Sequence, residues 1–309
     1  MSSTARTTQI ASHVAGDSKG VDPAEGVREK LESRVGKPRL EGKVCIVTGA
    51  SSLKGIGRAS CIAFAQNGAA AVYVTDFDQT NLSSLVAHIE TTYPGTRAIP
   101  QQLDAADERD VKAICQRALT EFGRLDVFFA NAGVGAGDVL AKTSVETFNR
   151  VMRVNALGPF LACKHASQVM QVTSKGKAEP GGSIVCTASV AGMRSGAGSV
   201  EYSMSKAAVI NLVASAAWQL SRTGVRVNAV NPGLTETGMT IGTFDYARGR
   251  GSINKVGQLN PTGRYAIPEE IAAAVVFLAS DDASYVNGQN LPVCGGLSAS
   301  HPVVPGRFF

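Results

Sequence analysis

From Glu41 onward, short β-branched runs alternate with helical patterns at regular spacing, and little besides a parallel sheet covered by crossover helices accepts that alternation. The runs at 43–48, 71–76, 98–103, 125–130, 182–187, 226–231 and 289–293 read as seven strands, apolar enough to be buried on both faces. Helical patterns cover 57–67, 79–92, 108–122, 145–173, 201–222 and 268–280. Right-handed crossovers then predict an α/β fold, a doubly wound, seven-stranded parallel sheet with helices on both faces. The stretch 234–260 has no clear period, and a loop that long in a compact domain is usually functional.

Composition narrows the class. Lys and Arg number 30 against 25 Asp and Glu, with the signs interleaved rather than gathered into a basic stripe, so no nucleic-acid partner is expected. Uninterrupted apolar runs such as 271–279 fall far short of the roughly 20 residues needed to cross a bilayer, so no membrane partner is expected either. The six cysteines form no CxxC pair and sit mostly in apolar segments, as reduced thiols packing like small hydrophobes do. No metal site is expected, and the reading is cytoplasmic. Residues 1–40 differ, being rich in Ser, Thr, Gly and charge, and read as a largely disordered polar arm ahead of a domain at 41–309. The Arg, Ser and Thr content leaves mitochondrial import open, although Asp17, Asp22, Glu25, Glu29 and Glu32 argue against a transit peptide.

Directly after the first strand stands Thr48-Gly49-Ala50-Ser51-Ser52-Leu53-Lys54-Gly55-Ile56-Gly57, leading into a helix. Glycines let the backbone turn tightly and approach a pyrophosphate, while the helix N-terminus offers unsatisfied N–H groups. A tight strand-to-helix turn with no ligand would have the same composition. The second strand ends about 20 residues later at Asp76, whose carboxylate suits ribose hydroxyls; the alternative is a helix N-cap. An anion there repels a 2′-phosphate and favours NAD over NADP. Lys54 argues the other way, and Phe77 supplies no base to strengthen the NADP case.

The chemistry gathers elsewhere. Ser189 precedes Tyr202 by 13 residues, and Lys206 follows the tyrosine by four on a predicted helix, hence on one face. A cation one turn away favours the phenolate, so Tyr202 can trade protons with an alcohol or carbonyl while Ser189 donates to the same oxygen. Any one such pair is ordinary on a helix; the joint occurrence with the glycine loop and Asp76 is not.

With these motifs on the page, the chain resembles the short-chain dehydrogenase/reductase family in its compact branch, over about 40–297. The likeness runs through the glycine-rich segment, Asp104, Asn131-Ala132-Gly133, Asn155, Ser189, Tyr202-Ser-Met-Ser-Lys206, Asn231-Pro232-Gly233 with Thr237, Pro268-Glu269-Glu270-Ile271 and Val286-Asn287-Gly288-Gln289. The resemblance implies a single Rossmann domain and a catalytic tetrad of Asn155, Ser189, Tyr202 and Lys206. Tyr202 would be the general acid/base, Ser189 would polarise the substrate oxygen, and Asn155 would anchor a water relaying protons from Lys206. Lys206 would also hold the nicotinamide ribose. It implies a coenzyme site of Gly49, Gly55, Ile56, Gly57, Asp76, Asp104, Asn131, Ala132, Gly133, Tyr202, Lys206, Pro232, Gly233 and Thr237, with Asp104 on the adenine. A plainer role for Asn131 and Asn155 is to tie loops together, and the two can coexist. The chain departs from the family pattern in two places. Five residues separate Gly49 and Gly55 where the family has three, as though Leu53 and Lys54 were inserted, and Cys294 stands where Asp often precedes Gly295-Gly296.

The substrate pocket is expected between 190–200 and the loop after Pro232, drawing on Met193, Val200, Met239, Ile241, Phe244 and Tyr246. That lining fits a fairly bulky apolar alcohol or ketone, with Arg194, Arg248 and Arg250 either reaching an acidic group or simply solvated. The leading reading is an NAD(P)-dependent oxidoreductase of secondary alcohols and ketones. Its rivals are a dinucleotide-sensing module and a non-redox dehydratase, epimerase or cyclase on the same scaffold. The resemblance further implies a homotetramer, or else a homodimer, paired through the helices at 145–173 and 201–222.

Overall fold

A computed structural model of the chain describes residues 36–135, 137 and 139–300. Seven strands, β1 (Val44–Thr48), β2 (Ala71–Asp76), β3 (Arg97–Gln102), β4 (Val127–Ala130), β5 (Gly182–Thr187), β6 (Val225–Pro232) and β7 (Asn290–Val293), form one sheet in the order β3-β2-β1-β4-β5-β6-β7. Every pairing is parallel, with Ile46 level with Tyr73 on one side and with Phe128 on the other. The order reverses between β1 and β4, the switch point at which open α/β sheets place a ligand crevice outside the carboxyl ends of the strands.

The helices are α1 (Ile56–Gln66), α2 (Leu82–Thr92), α3 (Glu108–Phe122), α4 (Val145–Met152), α5 (Gly158–Met170), α6 (Val200–Gln219), α7 (Ile241–Gly249) and α8 (Pro268–Ala279). Alternation along the strands divides the core in two. Cys45, Val47, Val72, Val74 and Phe129 face a layer built from α1, α2 and α8, where Phe64, Leu85 and Val275 are fully buried. Val44, Ile46, Tyr73, Phe128 and Ile184 face the opposite layer of α3, α5 and α6, meeting Ile114, Ala166 and Val213. Neither face of the central strands reaches water, which is why these segments show near-continuous apolar character rather than strict alternation.

Three expectations need correction. The pattern at 145–173 is not one helix: α4 and α5 are separated by a π turn at Arg153–Leu157. Pro159 in the first turn of α5 has no N–H to return to the carbonyl of Asn155 four residues back, so a regular α ladder cannot run through. The aperiodic stretch 234–260 holds α7 and a short 3₁₀ turn at Ile253–Lys255. Gly242, Gly249 and Gly251 hid that helix from a propensity reading. The compact body also begins before position 41, since Leu40 is fully buried and its N–H donates to the Asn67 carbonyl. Most of the expected polar arm, 1–35, lies outside the described residues.

Candidate active site

The glycine loop leaves β1 through Gly49, which sits at φ +74° with its carbonyl accepting from the Asn131 side chain. Gly57 is needed for contact: a Cβ there would lie 2.2 Å from the Gly49 carbonyl oxygen. Gly55 is the N-cap of α1 and Ile56 its first residue; no side chain caps this helix and no acid stands in its first turn. By contrast, Asp107 caps α3 and Ser144 caps α4 through their side chains. The open N–H groups of α1 beside a tight glycine turn are the donor set a diphosphate requires, so the chain's own residues fit a dinucleotide.

Asp76 ends β2 with one carboxylate oxygen accepting from Ser51 N–H at 2.8 Å and the other from Asp78 N–H at 3.0 Å. The N-cap of α2 is Asn81, so the capping alternative for Asp76 falls away. Asp104 follows β3, and its carboxylate already accepts from Ala106 N–H and from Arg153 at 2.7 Å, so any contact to adenine shares those oxygens. Asn131 performs the plainer role assigned to it: its amide donates to the carbonyls of Thr48 and Gly49 and accepts from the Thr187 hydroxyl, joining the ends of β1, β4 and β5. Ala132 N–H donates to the Thr48 hydroxyl. Lys54, expected beside the adenosine ribose, instead points to Glu236 at 2.9 Å, on the loop beyond β6. In the sheet order β6 lies on the opposite side of β1 from β2, so Lys54 turns away from Asp76.

The chemical end draws on β5 and α6. Ser189, at the end of β5, accepts from Ala191 N–H at 3.1 Å, which leaves its own proton to donate. Tyr202 lies in the first turn of α6, partly buried, and Lys206 lies one turn on with its Nζ 5.6 Å from the phenol ring centroid. Lys206 is almost fully buried and donates to the Thr187 carbonyl at 2.7 Å. Burial lowers its pKa from 10.5 to about 8. Tyr202 is pushed upward by burial, with a hydrogen bond to Ser189 pulling the other way. The downward shift expected from Lys206 is therefore not seen: removing a phenolate from water costs more than the serine's hydrogen bond returns. Asn155, wholly buried in the π turn, accepts from Val134 N–H and donates to the Val134 carbonyl and to Ser205 Oγ. Ser205 in turn donates to the Tyr202 carbonyl, so Asn155 braces α6 as well as the loop after β4. A Cβ on Gly133 would fall 3.3 Å from Asn155 Oδ1 and 3.5 Å from Lys206 Nζ. Sequence reading missed Thr48, Thr187 and Ser205, single hydroxyl residues whose roles arise only when strands distant in the chain become neighbours.

Ser189 and Tyr202 border a cavity of about 640 Å³, walled by 194–199, by Met239, Thr240 and Thr243, and by Lys255 and 257–260. Met239 and Arg194 line it as expected, and Gly233 contributes as well. Gly233 is also constrained from below, where a Cβ would meet Cys294 Cα at 2.7 Å. Pro232 ends β6, and Thr237 bonds through its N–H to Thr240 Oγ1. The other expected lining residues do not border this cavity. Phe244 is fully buried, edge-on to Tyr265, because α7 turns it inward while Thr240 and Thr243 face the cavity. Tyr246 is exposed beside Arg250, and Arg248 is committed to Glu236 and Asp245. Lys255, Leu259 and Leu297 complete the wall, and none was foreseen. Among the described residues no group of three or more His, Cys, Asp or Glu is arranged to hold a metal, and no helix is long and apolar enough to cross a membrane.

Residues 49–298 match a family model described as enoyl-(acyl carrier protein) reductase. The 3-oxoacyl-[acyl-carrier-protein] reductase FabG of Thermotoga maritima is 38% identical over 84% of this chain and 99% of its own length. Momilactone A synthase of Oryza sativa subsp. japonica is 40% identical over 84% of this chain and 91% of its own. The crystal structure of levodione reductase superposes with a TM-score of 0.77 at 33% identity, covering 85% of this chain and all of that one. On these likenesses the chain belongs to the short-chain dehydrogenase/reductase family, a family of NAD(P)-dependent enzymes acting on CH–OH and C=O groups.

Proposed function

We propose that this protein interconverts a fairly bulky secondary alcohol and its ketone, with Tyr202 as general acid/base and NAD preferred over NADP. The observation that carries the reading is the convergence of Ser189 and Tyr202 on one 640 Å³ cavity with the Lys206 amine buried behind the phenol. The nicotinamide, when bound, supplies or takes up the hydride. Ser189 donates to the substrate oxygen, and Tyr202 delivers a proton to that oxygen in reduction or receives one in oxidation. Lys206, held by the Thr187 carbonyl, would supply positive charge beside the phenolate and would hold the nicotinamide ribose. Asn155 supports a proton relay: Pro159 cannot bond to its carbonyl, which suits that oxygen to anchor a water near Lys206.

The preference for NAD rests on Asp76 at the ribose end and on the withdrawal of Lys54 toward Glu236. Gly49, Gly55, Ile56 and Gly57 would cradle the diphosphate, Asp104 the adenine, Asn131, Ala132 and Gly133 the floor beneath the nicotinamide ribose, and Pro232, Gly233 and Thr237 the carboxamide. A homotetramer is the proposed assembly. One experiment tests the core of this reading: a screen of secondary alcohols and cyclic ketones with NAD(H) and NADP(H), followed at the nicotinamide absorbance, in wild type and Tyr202→Phe. Tyr202→Phe should lose at least about a thousandfold in turnover while NADH affinity stays within about twofold. Undiminished turnover in that variant, or a tenfold preference for NADPH, overturns the respective half.

A further inference from the structure

Lys54, one of the two residues that lengthen the glycine loop after β1, reaches a carboxylate on the loop after β6, three strands away in the sheet order. Lys54 Nζ lies 2.9 Å from Glu236 Oε1, and the same oxygen accepts from Arg248 of α7. Glu236 is nearly buried, and its backbone N–H donates to the Ala266 carbonyl ahead of α8, so it is anchored on its own side. The bonds from Lys54, and then from Arg248, hold its carboxyl below the usual range. The two loops also touch beside this pair: a Cβ on Gly238 would fall 2.6 Å from Ser52 Oγ. Thr237 lies between Glu236 and Gly238, and Met239, two residues beyond it, lines the substrate cavity.

We propose that Lys54, Glu236 and Arg248 form a positioning cluster that straps the glycine loop to the segment 236–239 and retains the coenzyme in the crevice between them. This rests on the coenzyme reading given above. α1 begins just beyond Lys54 and packs against α8, which begins just beyond Ala266, so the strap joins the openings of two neighbouring helices on one face of the sheet. A diphosphate held at the N-terminus of α1 would sit next to the loop that Lys54 ties down, so its release would be coupled to the parting of the two loops. A loop with the family's usual spacing lacks the lysine and hence the bridge. Lys54 and Arg248 bring two positive charges to one carboxylate, so Glu236 stays ionised and the bridge weakens with salt.

The test is release of NADH from the full-length protein, read by stopped-flow fluorescence in wild type, Lys54→Met, Lys54→Arg and Glu236→Gln, with melting temperatures as the folding control. Lys54→Met and Glu236→Gln should release NADH about five- to tenfold faster at low salt, and Lys54→Arg should restore slow release. Raising NaCl from about 0.05 to 0.5 M should speed release from wild type and leave Lys54→Met unmoved. Equal release rates in wild type and Lys54→Met, with NADH bound by both, sink the strap and spare the coenzyme reading. Failure of wild type to bind NADH sinks both. A release rate that follows the melting temperature alone, with no salt response, reduces the cluster to a structural tie and overturns the proposal.

Discussion

At the residue scale, the site is a set of compromises between burial and charge. Lys206 is an amine almost out of water, with its pKa brought down from 10.5 to about 8 by that burial. Above about 10.5 the amine is neutral in folded and unfolded chains alike. As pH falls to about 8 the unfolded chain gains a proton that the folded one does not, so stability is lost through that window and stays lower beneath it. Lys206→Met should therefore be more stable than wild type at pH 7, by up to about 3 kcal/mol, with the gap closing as pH rises toward 10 and turnover abolished throughout. Urea unfolding at pH 7 and 9.5 checks this, and a gap that widens with pH would contradict it. Gly57 is constrained by space instead of charge. Its α-carbon approaches the Gly49 carbonyl so closely that Gly57→Ala should cost about 1–3 kcal/mol and weaken NADH binding at least tenfold. Calorimetric titration with NADH reads the second effect, and an unchanged affinity would remove the loop from the coenzyme site.

At the scale of elements, the break between α4 and α5 does more than interrupt a helix. The π turn carries Asn155 to where one amide bonds both backbone groups of Val134 and the hydroxyl of Ser205, linking the loop after β4 to α6. Asn155→Ala removes three hydrogen bonds and strands their partners, so a loss of about 2–3 kcal/mol in urea unfolding is expected, alongside a fall in turnover. A variant as stable as wild type would show that these bonds are replaced by water at no cost. The sequence reading located Asn155 in a helix and named its brace-like role as one possibility, but a residue pattern of period 3.6 cannot reveal a single five-residue turn of different pitch.

At the scale of the molecule, α5 and α6 leave Phe160, Met204 and Trp218 about half exposed, apolar surface that pairing between copies of the chain would cover. Sedimentation of the purified protein should give a tetramer, and Phe160→Glu together with Trp218→Glu should shift the population toward smaller species. Thermal unfolding of wild type should accordingly rise with protein concentration. A monomer at all concentrations would overturn the proposed assembly.

The strand and helix alternation, the glycine turn and the serine, tyrosine and lysine at their spacing were legible in the linear chain, because each depends on periodicity or on residues close in sequence. So were the doubly wound sheet and the family, which rest on motifs in order. What folding alone decided were contacts between segments far apart: the Thr187 carbonyl under Lys206, the hydroxyl of Ser205 beneath Tyr202, and α7 turning Phe244 away from the cavity. Lys54 is the clearest case. Its sequence neighbours suggested a phosphate partner, yet the carboxylate that holds it lies 182 residues away, and only the closing of the sheet brings the two within reach.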